Sequence, residues 1–500
     1  MNAPPRRSLP FIDVPRVPPN KRKPEERLGD SHEFESPLDG EPLAAQASRC
    51  MSCGIPFCHS ACPLGNFIPE WNRLVSLGLF DAAIERLHAT NNFPEFTGRL
   101  CPAPCEAACV LAISGSPVSI KQVELALADR IQNAPARPPP ARELRDAESD
   151  PPPSASPPSS TVRRLKRVAI IGSGPAGLAC ASELAGWGYS VTVFERDDKP
   201  GGLLRYGIPD FKMHKSILDR RIDAMALMSV QFECNVLVGR DLRGAELVSG
   251  FDAVGLAVGA LDPRPFDVPG ASLPGVHFAM SYLTRQNRLV SGTEDIDPTM
   301  DARGKHVIIL GGGDTGSDCL GTALRQGAAN VTQLELMGRP GDKRGDDNPW
   351  PEWPTIFRTS SSQEEGGSRA YGLMTTAIEG STRCEALVAR EAVREADGRF
   401  VATGEERRLQ ADLVLIATGF VGAWKSPLYA ELGVTMSPQG RLVADARGRT
   451  GINNVFAMGD ARRGASLVVW AIAEGRHAAA SIRETLERSV QTASPPSRVL

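Results

Sequence analysis

The chain has 500 residues, of which 41% are hydrophobic and 23% are charged, and its formal net charge is −3. This length and composition indicate an ordinary folded protein of about three domains, exclude a disulfide-stapled miniprotein, and give no global electrostatic reason to expect nucleic acid or a membrane as a partner. No apolar run approaches the roughly 20 residues that a spanning helix needs, and residues 1–15 lack the apolar core of a signal peptide. We therefore expect a cytoplasmic protein.

The cysteines are unevenly distributed, because seven of the eleven lie near the start of the chain. The reduced thiols of the cytoplasm disfavour structural disulfides, so this clustering indicates metal ligands. The spacing is C-x2-C-x4-C-x3-C-P followed by C-P-x2-C-x3-C, formed by Cys50, Cys53, Cys58, Cys62, Cys101, Cys105 and Cys109. Such short spacings, with a proline after the last cysteine of a run, are typical of [4Fe-4S] sites. Structural zinc is the alternative, although zinc favours paired C-x2-C knuckles and only Cys50 and Cys53 form one.

The number of cysteines bears on the number of clusters. Two [4Fe-4S] clusters require eight ligands, whereas this module offers seven cysteines. An oxygen or nitrogen ligand would complete the second cluster, and the candidates are Glu124, His59 and His88. The remaining cysteines are expected to pack as small buried residues, and they are Cys180, Cys234, Cys319 and Cys384.

Helices are predicted around the cysteines, followed by a linker. Residues 71–90 carry apolar side chains at helical spacing, with Leu79 and Ala82 on the apolar stripe, and residues 118–132 repeat the pattern. Residues 134–160 are instead dense in proline, serine and charge and cannot bury enough apolar surface to order themselves. We therefore predict an exposed linker after the first module.

A strand, a glycine turn, a helix and a second strand are predicted next. Gly172, Gly174 and Gly177 follow an apolar strand in the order GxGxxG, with Pro175 and Ala176 inside the same turn. The three glycines allow a tight turn, a close approach of the backbone to a pyrophosphate, and close packing of helix and strand. The second strand ends at Glu195, whose carboxylate would accept hydrogen bonds from an adenosine ribose. The segment therefore predicts a bound dinucleotide.

The same unit recurs over residues 306–336, with Gly311, Gly313 and Gly316 in its turn. Two such units in one chain predict a flavin and a nicotinamide, placed so that a hydride passes between them. Near the C-terminus, Gly459 and Asp460 end a further strand, ahead of a helix that begins near Ser466 and after an ATG segment that ends at Gly419. This arrangement predicts a carboxylate on a ribityl hydroxyl and a positive helix end beside the flavin ring.

The preference between NADH and NADPH depends on the residues at the end of the second strand of this second unit. Glu335 would pair with the 2'-hydroxyl of NADH and repel the 2'-phosphate of NADPH. Arg339, Lys343 and Arg344 follow closely and could contact that phosphate. Both donors therefore stay open.

Taken together, the motifs resemble the small (beta) subunit of bacterial glutamate synthase, whose architecture is shared with the N-terminal part of dihydropyrimidine dehydrogenase. The resemblance covers residues 29–487 and is carried by CMSCGIPFCHSACPLGN, NNFPEFTGRLCPAPCEAAC, VAIIGSGPAGLA, PGGLLRYGIPDFKM, GGGDTGSDC, NPWPEWP and GASLVVWAIAEGRHAA. It implies an α/β fold in which a helical domain with two [4Fe-4S] clusters precedes two Rossmann-like domains, the NAD(P)H domain being inserted into the FAD domain. The expected boundaries are 1–132 for the iron–sulfur domain, 133–165 for the Pro-rich linker, 166–290 and 423–487 for the FAD domain, 291–422 for the NAD(P)H domain, and 488–500 for a disordered tail.

The resemblance also implies which residues hold the cofactors. One cluster is expected on Cys50, Cys53, Cys58 and Cys109, and the other on Cys62, Cys101, Cys105 and Glu124. Thr97 stands where some relatives have a further cysteine. The implied flavin contacts are Gly201, Gly202, Leu203, Tyr206 and Ile208, and the implied NAD(P)H turn is Gly312, Gly313, Asp314 and Thr315. The segments VTQLELM and NPWPEWP resemble the form of the NADH-dependent plant enzymes, in agreement with Glu335.

The function implied by the resemblance is electron input to glutamate synthase. NAD(P)H would be oxidised at FAD, and two [4Fe-4S] clusters would pass the electrons to a large (alpha) subunit that makes L-glutamate from L-glutamine and 2-oxoglutarate. No catalytic acid, base or nucleophile is predicted, because the positioning of nicotinamide against flavin supplies the chemistry. The alternatives are a subunit that feeds a ferredoxin, a sulfur compound or a pyrimidine-reducing partner, and a zinc-stabilised flavoprotein whose cysteine module only docks.

Overall fold

The computed structural model describes residues 9–133 and 166–493. The predicted linker lies outside the described residues, apart from its first position, Asn133, and so do residues 494–500 of the predicted tail. No helix in the described part of the chain is long and apolar enough to cross a membrane.

The first module is helical. Its elements are α1 (Pro10–Asp13), β1 (Asn20–Lys21), α2 (Pro24–Arg27), β2 (Glu35–Ser36), α3 (Gly40–Ser48), α4 (Phe57–Ala61), α5 (Ile68–Ser76), α6 (Phe80–His88), α7 (Pro94–Leu100), α8 (Pro104–Ala107) and α9 (Ile120–Asn133). The apolar stripes of α3, α5, α6 and α9 meet in one core, which contains Leu43, Trp71, Val75, Leu87 and Val123. The cysteines lie in the short helices α4 and α8 and on the turns between the helices.

The single apolar stripe predicted over residues 71–90 is wrong in one respect. The stretch forms two helices, because Gly78 adopts a positive φ of 73° and ends α5. Leu79 is 52% exposed as a result, and Ala82 is also exposed, whereas Ala83 is fully buried. A residue with φ in this range is usually glycine, so Gly78 is the physical reason for the change of direction.

The second part of the chain begins with a parallel sheet. Its elements are β3 (Arg167–Ile171), α10 (Pro175–Gly186), β4 (Ser190–Phe194), α11 (Leu203–Tyr206), α12 (Lys215–Leu227), β5 (Val230–Glu233), α13 (Gly244–Gly250), β6 (Ala253–Leu256) and β7 (Asp262–Pro263). The strand order is β17-β6-β3-β4-β5, where β17 (Val455–Ala457) comes from the C-terminal part of the chain. The short runs of Val, Ile and Ala in β3 are buried on both faces, as expected for a parallel sheet that helices cover on each side.

A second parallel sheet is built from the residues between β7 and β17. Its elements are β8 (Val276–Phe278), α14 (Ala279–Val290), β9 (His306–Leu310), α15 (Asp314–Gln326), β10 (Asn330–Glu335), α16 (Ser361–Glu364), β11 (Ser368–Tyr371), β12 (Leu373–Glu379), β13 (Ala386–Arg394), β14 (Phe400–Gln410) and β15 (Leu413–Ile416). The order is β11-β10-β9-β15-β8, and β12, β13 and β14 form a separate antiparallel sheet. The second glycine turn thus lies in a unit of its own.

The chain returns to the first sheet through β16 (Phe420–Gly422), α17 (Pro427–Glu431), β17, α18 (Asp460–Arg463) and α19 (Val468–Ala493). β16 pairs with β7, so the outgoing and returning segments lie side by side. This topology confirms an α/β fold in which one dinucleotide-binding half is inserted into the other. Because β8 already pairs with β15, we propose that the insertion starts at the β7–β16 pair, before the expected residue 291. α19 continues to Ala493, past the expected end at residue 487.

The helical module packs directly on the first dinucleotide half. Phe93 and Phe96 belong to the core that β3 and α10 form. At the edge of this contact, Arg221 of α12 donates to both carboxylate oxygens of Glu95 at 2.6 and 3.1 Å. Arg476 of α19 donates to the carbonyl oxygen of Ala89 at 3.2 Å. The module that carries the cysteines is therefore held against the first dinucleotide half.

Candidate redox sites

One cavity of about 370 Å³ is lined by Cys50, Cys53, Cys58 and Cys109, and we call it cavity 1. Cys50 follows α3, Cys58 is the second residue of α4, and Cys109 follows α8, so separate segments of the chain supply the thiols. The structure thus brings together the four cysteines that the resemblance assigns to one cluster. The four cysteines line a cavity and do not converge on the position of a single metal ion.

A second cavity of about 330 Å³ is lined by Cys62, Cys101, Cys105 and Glu124, and we call it cavity 2. The backbone N–H of Ala103 donates to the sulfur of Cys101 over 3.4 Å. The other residues that line this cavity are Pro63, Asn66, Thr97, Ala103, Pro104, Lys121 and Val469. Val469 belongs to α19 of the first dinucleotide half, so cavity 2 lies at the contact between that half and the helical module.

The carboxylate of Glu124 is oriented by two donors. Its Oε1 accepts a hydrogen bond from the side-chain amide of Asn91 at 3.0 Å and another from the hydroxyl of Thr97. Both donors bind the same oxygen, which leaves Oε2 without a hydrogen-bond donor from the described residues. Burial raises the pKa of Glu124 to about 7. Thr97 therefore orients the carboxylate of Glu124, the residue predicted to be the eighth ligand.

The two histidine candidates are oriented differently. The Nδ1 atom of His59 lies 3.1 Å from the carbonyl oxygen of Asn66, and the Nδ1 atom of His88 lies 3.1 Å from the carbonyl oxygen of Asn91. Each ring is thus tied to the backbone, whereas Glu124 lines cavity 2. Among the three candidates for the eighth ligand, the geometry favours Glu124.

The chemistry of these donors fits iron–sulfur clusters. Burial is the main cause that raises the pKa of Cys58 and of Cys101 to about 12 and that of Cys62 to about 11, and neighbouring thiols or carboxyls add to it. A group of buried thiolates is therefore unfavourable without a cationic partner, which iron supplies when it displaces the protons. Four thiolates in cavity 1, and three thiolates with one carboxylate in cavity 2, are each a complete ligand set for a [4Fe-4S] cluster.

The first glycine turn leaves no room for larger side chains. Gly172 has a φ of 101°, and a Cβ there would lie 2.5 Å from the carbonyl oxygen of Ala257. A Cβ at Gly177 would overlap the carbonyl oxygen of Gly172. The N-terminus of α10 starts at Pro175 with Gly174 before it, so its free N–H groups face the turn. This is the cradle that a pyrophosphate requires.

Glu195 contacts the turn itself, which the sequence did not indicate. Its Oε2 accepts from the backbone N–H of Ser173 at 3.1 Å and from the Ser173 hydroxyl, and its Oε1 accepts from the N–H of Asp197 at 3.0 Å. The Ser173 hydroxyl in turn accepts from the N–H of Gly201 at 2.8 Å. A Cβ at Gly202 would lie 2.9 Å from the Cα of Gly174. The predicted flavin contacts Gly201 and Gly202 are thus brought onto the first glycine turn.

Three of the remaining flavin candidates lie in or just after α11, which follows Gly202. The Tyr206 hydroxyl donates to the carboxylate of Asp198 at 2.6 Å, so this hydroxyl already has a partner within the protein. Leu203 is 36% exposed, and Ile208 is half-buried beside the core of this half. Gly419 lies farther away, at the β7–β16 connection, where its carbonyl oxygen accepts from the N–H of Arg264 at 3.0 Å.

The C-terminal segment that contains Gly459 also packs against the first glycine turn. Gly459 has a φ of 66°, and a Cβ there would lie 2.6 Å from the Cβ of Ala176. The Ser466 hydroxyl donates to the carboxylate of Asp460 at 2.7 Å. Burial raises the pKa of Asp460 to about 6. The three predicted residues Gly459, Asp460 and Ser466 are therefore brought to the N-terminal end of α10.

The second glycine turn repeats this geometry. Gly311 has a φ of 118°, and a Cβ at Gly316 would overlap its carbonyl oxygen. The same carbonyl accepts from the side-chain amide of Gln333 at 2.8 Å. Asp314 and Thr315 form the first turn of α15, beyond Gly313. This half can therefore hold a second pyrophosphate.

Glu335 lies against the second turn. Its carboxyl group occupies the space that a Cβ at Gly312 would need, and burial raises its pKa. Arg339 and Arg369 lie on the ring of Phe357, with the guanidinium carbons 4.0 and 4.5 Å from the ring centre. Arg369 could not be predicted from local spacing, because it lies on β11, a separate strand on which Tyr371 is the register partner of Glu335. One carboxylate and two guanidinium groups thus lie at the ribose end of the predicted site.

The other two basic residues that could contact a 2'-phosphate, Lys343 and Arg344, have different surroundings from Arg339. Arg344 donates to the carbonyl oxygens of Asn348 and Pro349 at 3.2 and 3.5 Å, and Lys343 is exposed. Within the same loop, the ring of Trp350 lies 4.6 Å from that of Phe57, beside cavity 1. The NPWPEWP segment therefore reaches from the second dinucleotide half to the cysteine turns.

Two family models match the chain. Residues 27–135 match dihydropyrimidine dehydrogenase domain II, 4Fe-4S cluster, and residues 166–353 and 375–475 match pyridine nucleotide-disulphide oxidoreductase. The first match favours iron over zinc in the cysteine module. The chain is therefore an NAD(P)H-dependent flavin oxidoreductase that carries iron–sulfur clusters.

Curated relatives give a narrower assignment. The chain is 48% identical to the glutamate synthase [NADPH] small chain of Mycobacterium tuberculosis and 41% identical to that of Bacillus subtilis, over 95% and 94% of its own length and 95% and 97% of theirs. It belongs to the family of glutamate synthase small chains. Among solved structures, M. tuberculosis FprA in complex with NADPH has a TM-score of 0.53 at 21% identity, over 67% of this chain and 88% of that chain, which shows a shared fold.

Proposed function

We propose that this chain is the electron-input subunit of a glutamate synthase, which oxidises NAD(P)H and delivers the electrons to a large subunit that makes L-glutamate from L-glutamine and 2-oxoglutarate. The observation that carries the proposal is that the module with both cysteine cavities packs on the first dinucleotide half, where Val469 of α19 lines cavity 2. When bound, FAD accepts a hydride from the nicotinamide, and the clusters carry single electrons. The chain's own residues hold these groups in place.

The relatives support a separate synthase partner. The chain matches glutamate synthase [NADH] of Schizosaccharomyces pombe over 94% of its own length but only 22% of that protein. The region matched in that relative is thus accompanied by a much longer sequence. In our proposal, the large subunit supplies the corresponding part as a second chain.

The order of the sites supports an outward path for electrons. Val469 of α19 lines cavity 2, so cavity 2 adjoins the half that we assign to FAD. Cys62 follows α4, whereas Cys58 lies within it and lines cavity 1, so the two cavities share one short helix. We therefore assign cavity 2 to the inner cluster and cavity 1 to the outer cluster, nearer the acceptor.

The test of this proposal uses the purified full-length chain with the large subunit of the same organism. We expect NAD(P)H oxidation that requires both L-glutamine and 2-oxoglutarate and that yields L-glutamate. The control lacks the large subunit and should give no glutamate. Oxidation that is indifferent to both substrates would contradict the proposal.

A second candidate function is electron input to a different acceptor, such as a ferredoxin, a sulfur compound or a pyrimidine-reducing partner. The observation that favours it is a relative named putative oxidoreductase AegA, from Escherichia coli, which is 36% identical over 94% of this chain and 69% of that protein. The glutamate assay above separates the two candidates, because this alternative predicts acceptor reduction without glutamine.

Glu124 is predicted to be a ligand of the inner cluster. Replacing Glu124 with alanine removes the only carboxylate that the described residues contribute to cavity 2, so we expect the iron content to fall from about eight to about four atoms per chain. Glu124→Gln keeps an oxygen ligand but removes its negative charge, so we expect retained iron and a more positive potential of this cluster. Iron assays and EPR-monitored redox titration give both results. Full iron with an unchanged potential in both variants would exclude Glu124 as a ligand.

Glu335 is predicted to set the preference between NADH and NADPH. Its carboxylate would repel a 2'-phosphate, so Glu335→Gln should raise the ratio of kcat/KM for NADPH to that for NADH by about tenfold, or about 1.4 kcal/mol. Arg369→Ala should lower the same ratio. Steady-state kinetics with a dye acceptor measures it, with Glu405→Gln, an exposed change in the same half, as the control. A ratio that stays constant in both variants would place the phosphate site elsewhere.

A further inference from the structure

Asn72 is a polar residue in the otherwise apolar lining that surrounds the four cysteines of cavity 1. It lies on α5, is fully buried and lines the cavity with the four cysteines. All the other lining residues have apolar side chains, and they are Met51, Pro56, Phe57, Ile68, Pro69, Val110, Leu111, Val118 and Ile120. One carboxamide therefore faces an otherwise apolar wall.

The hydrogen bonds of Asn72 leave part of its amide unused. The amino group donates to the carbonyl oxygen of Ile68, one turn earlier, at 3.0 Å, which uses one of its two N–H bonds. The second N–H has no acceptor among the described residues, and the buried Oδ1 atom has no donor there. Burying an unpaired polar group costs free energy that a leucine at this position would avoid. A ligand in the cavity that accepts a hydrogen bond would satisfy the second N–H of this amide.

We propose that Asn72 donates a hydrogen bond to a sulfur atom of the outer [4Fe-4S] cluster and thereby raises the reduction potential of that cluster. This inference rests on the proposed function, because it requires a cluster in cavity 1. Asn72 acts as a tuning residue, since it holds no iron.

The physical basis is the charge that reduction adds. One electron that leaves the reduced flavin and enters the cluster makes the cluster more negative by one charge. The apolar wall of cavity 1 does little to stabilise that charge, whereas an N–H donor stabilises the reduced form more than the oxidised form. Cavity 2 differs because the polar side chains of Asn66, Thr97 and Lys121 line it. Asn72 therefore keeps the outer cluster able to accept electrons from the inner one.

The test is an anaerobic redox titration of the full-length holoprotein, followed by EPR. The outer signal is identified by its loss in Cys58→Ser. Asn72→Leu should lower the equilibrium constant for one-electron reduction of the outer cluster about tenfold, which is a shift of about 59 mV to lower potential. The inner cluster and the flavin should keep their potentials. Asn72→Asp has nearly the same shape, and its ionised carboxylate accepts rather than donates and adds a negative charge, so it should shift the potential in the same direction.

The matched control is Trp71→Phe. Trp71 is the neighbouring residue, is fully buried and also has an unpaired N–H, but it does not line cavity 1. Its replacement should leave the outer potential unchanged. Full iron content with an unshifted outer potential in both Asn72 variants would overturn the inference alone. A wild-type protein with iron in cavity 2 only would overturn both the inference and the proposed path.

Discussion

Replacing Cys105 with alanine is expected to remove the inner cluster and to stop electrons from leaving the flavin. Cys105 is buried in α8 and lines cavity 2, where no other described thiol is free to take its place because Cys62 and Cys101 are already ligands in our assignment. The iron content should fall from about eight to about four atoms per chain. NAD(P)H should still bleach the flavin, but reduction of the outer cluster should slow by at least about a hundredfold, because its nearest donor is gone.

Stopped-flow absorption separates the two steps, and EPR of samples frozen at intervals reports the outer cluster. Cys234→Ser is the matched control, since Cys234 is half-buried at the edge of the first dinucleotide half, away from both cavities. It should leave the iron content and both rates unchanged. If the outer cluster of Cys105→Ala were reduced at the wild-type rate, cavity 2 would not lie on the electron path.

Replacing Gly177 with alanine is expected to abolish FAD binding. The added Cβ would overlap the carbonyl oxygen of Gly172, so the helix and the turn that form the phosphate cradle would move apart. We expect a chain with less than about a tenth of the wild-type flavin and no NAD(P)H-dependent reduction of either cluster. The flavin released on denaturation is measured by fluorescence, and iron is assayed on the same sample.

Gly316→Ala makes the corresponding change in the second turn, where the added Cβ would overlap the carbonyl oxygen of Gly311. This variant should keep FAD and both clusters but lose reduction by NAD(P)H, while dithionite still reduces it. Gly186→Ala, where the nearest atom is 3.9 Å from the added Cβ, is the control for a glycine change that fits. Loss of flavin in the Gly316 variant rather than the Gly177 variant would reverse our assignment of the two halves.

Local patterns were sufficient to predict much of the fold. In each of the two strand–turn–helix units, the residues that form the unit are close together in the sequence. Their glycines are required by the steric demands of the turn alone. The α/β class and the insertion of one half into the other are confirmed. The break at Gly78 was missed because apolar spacing continues across it, while the positive φ that ends α5 leaves no mark in that spacing.

The site was harder to predict, because its partners come from distant segments. The hydrogen bond from Thr97 to Glu124 joins α7 to α9, and the charge of Arg369 on β11 acts on Glu335 of the adjacent strand β10. Asn72 looked like any polar residue on an amphipathic helix, and only its place in an apolar cavity distinguishes it. The assignment of ligands and of dinucleotide contacts to individual residues stays a prediction that the variants above test.

The central claim, that NAD(P)H electrons enter at a flavin and pass to two clusters, is tested most directly by an anaerobic titration of the purified full-length chain. Absorption is followed as NADH or NADPH is added, with iron, sulfide and zinc assayed on the same sample. We predict about eight irons per chain and complete reduction by about two equivalents of the donor, because the flavin takes two electrons and each cluster takes one. Zinc in place of iron, with reduction complete at about one equivalent, would contradict the account.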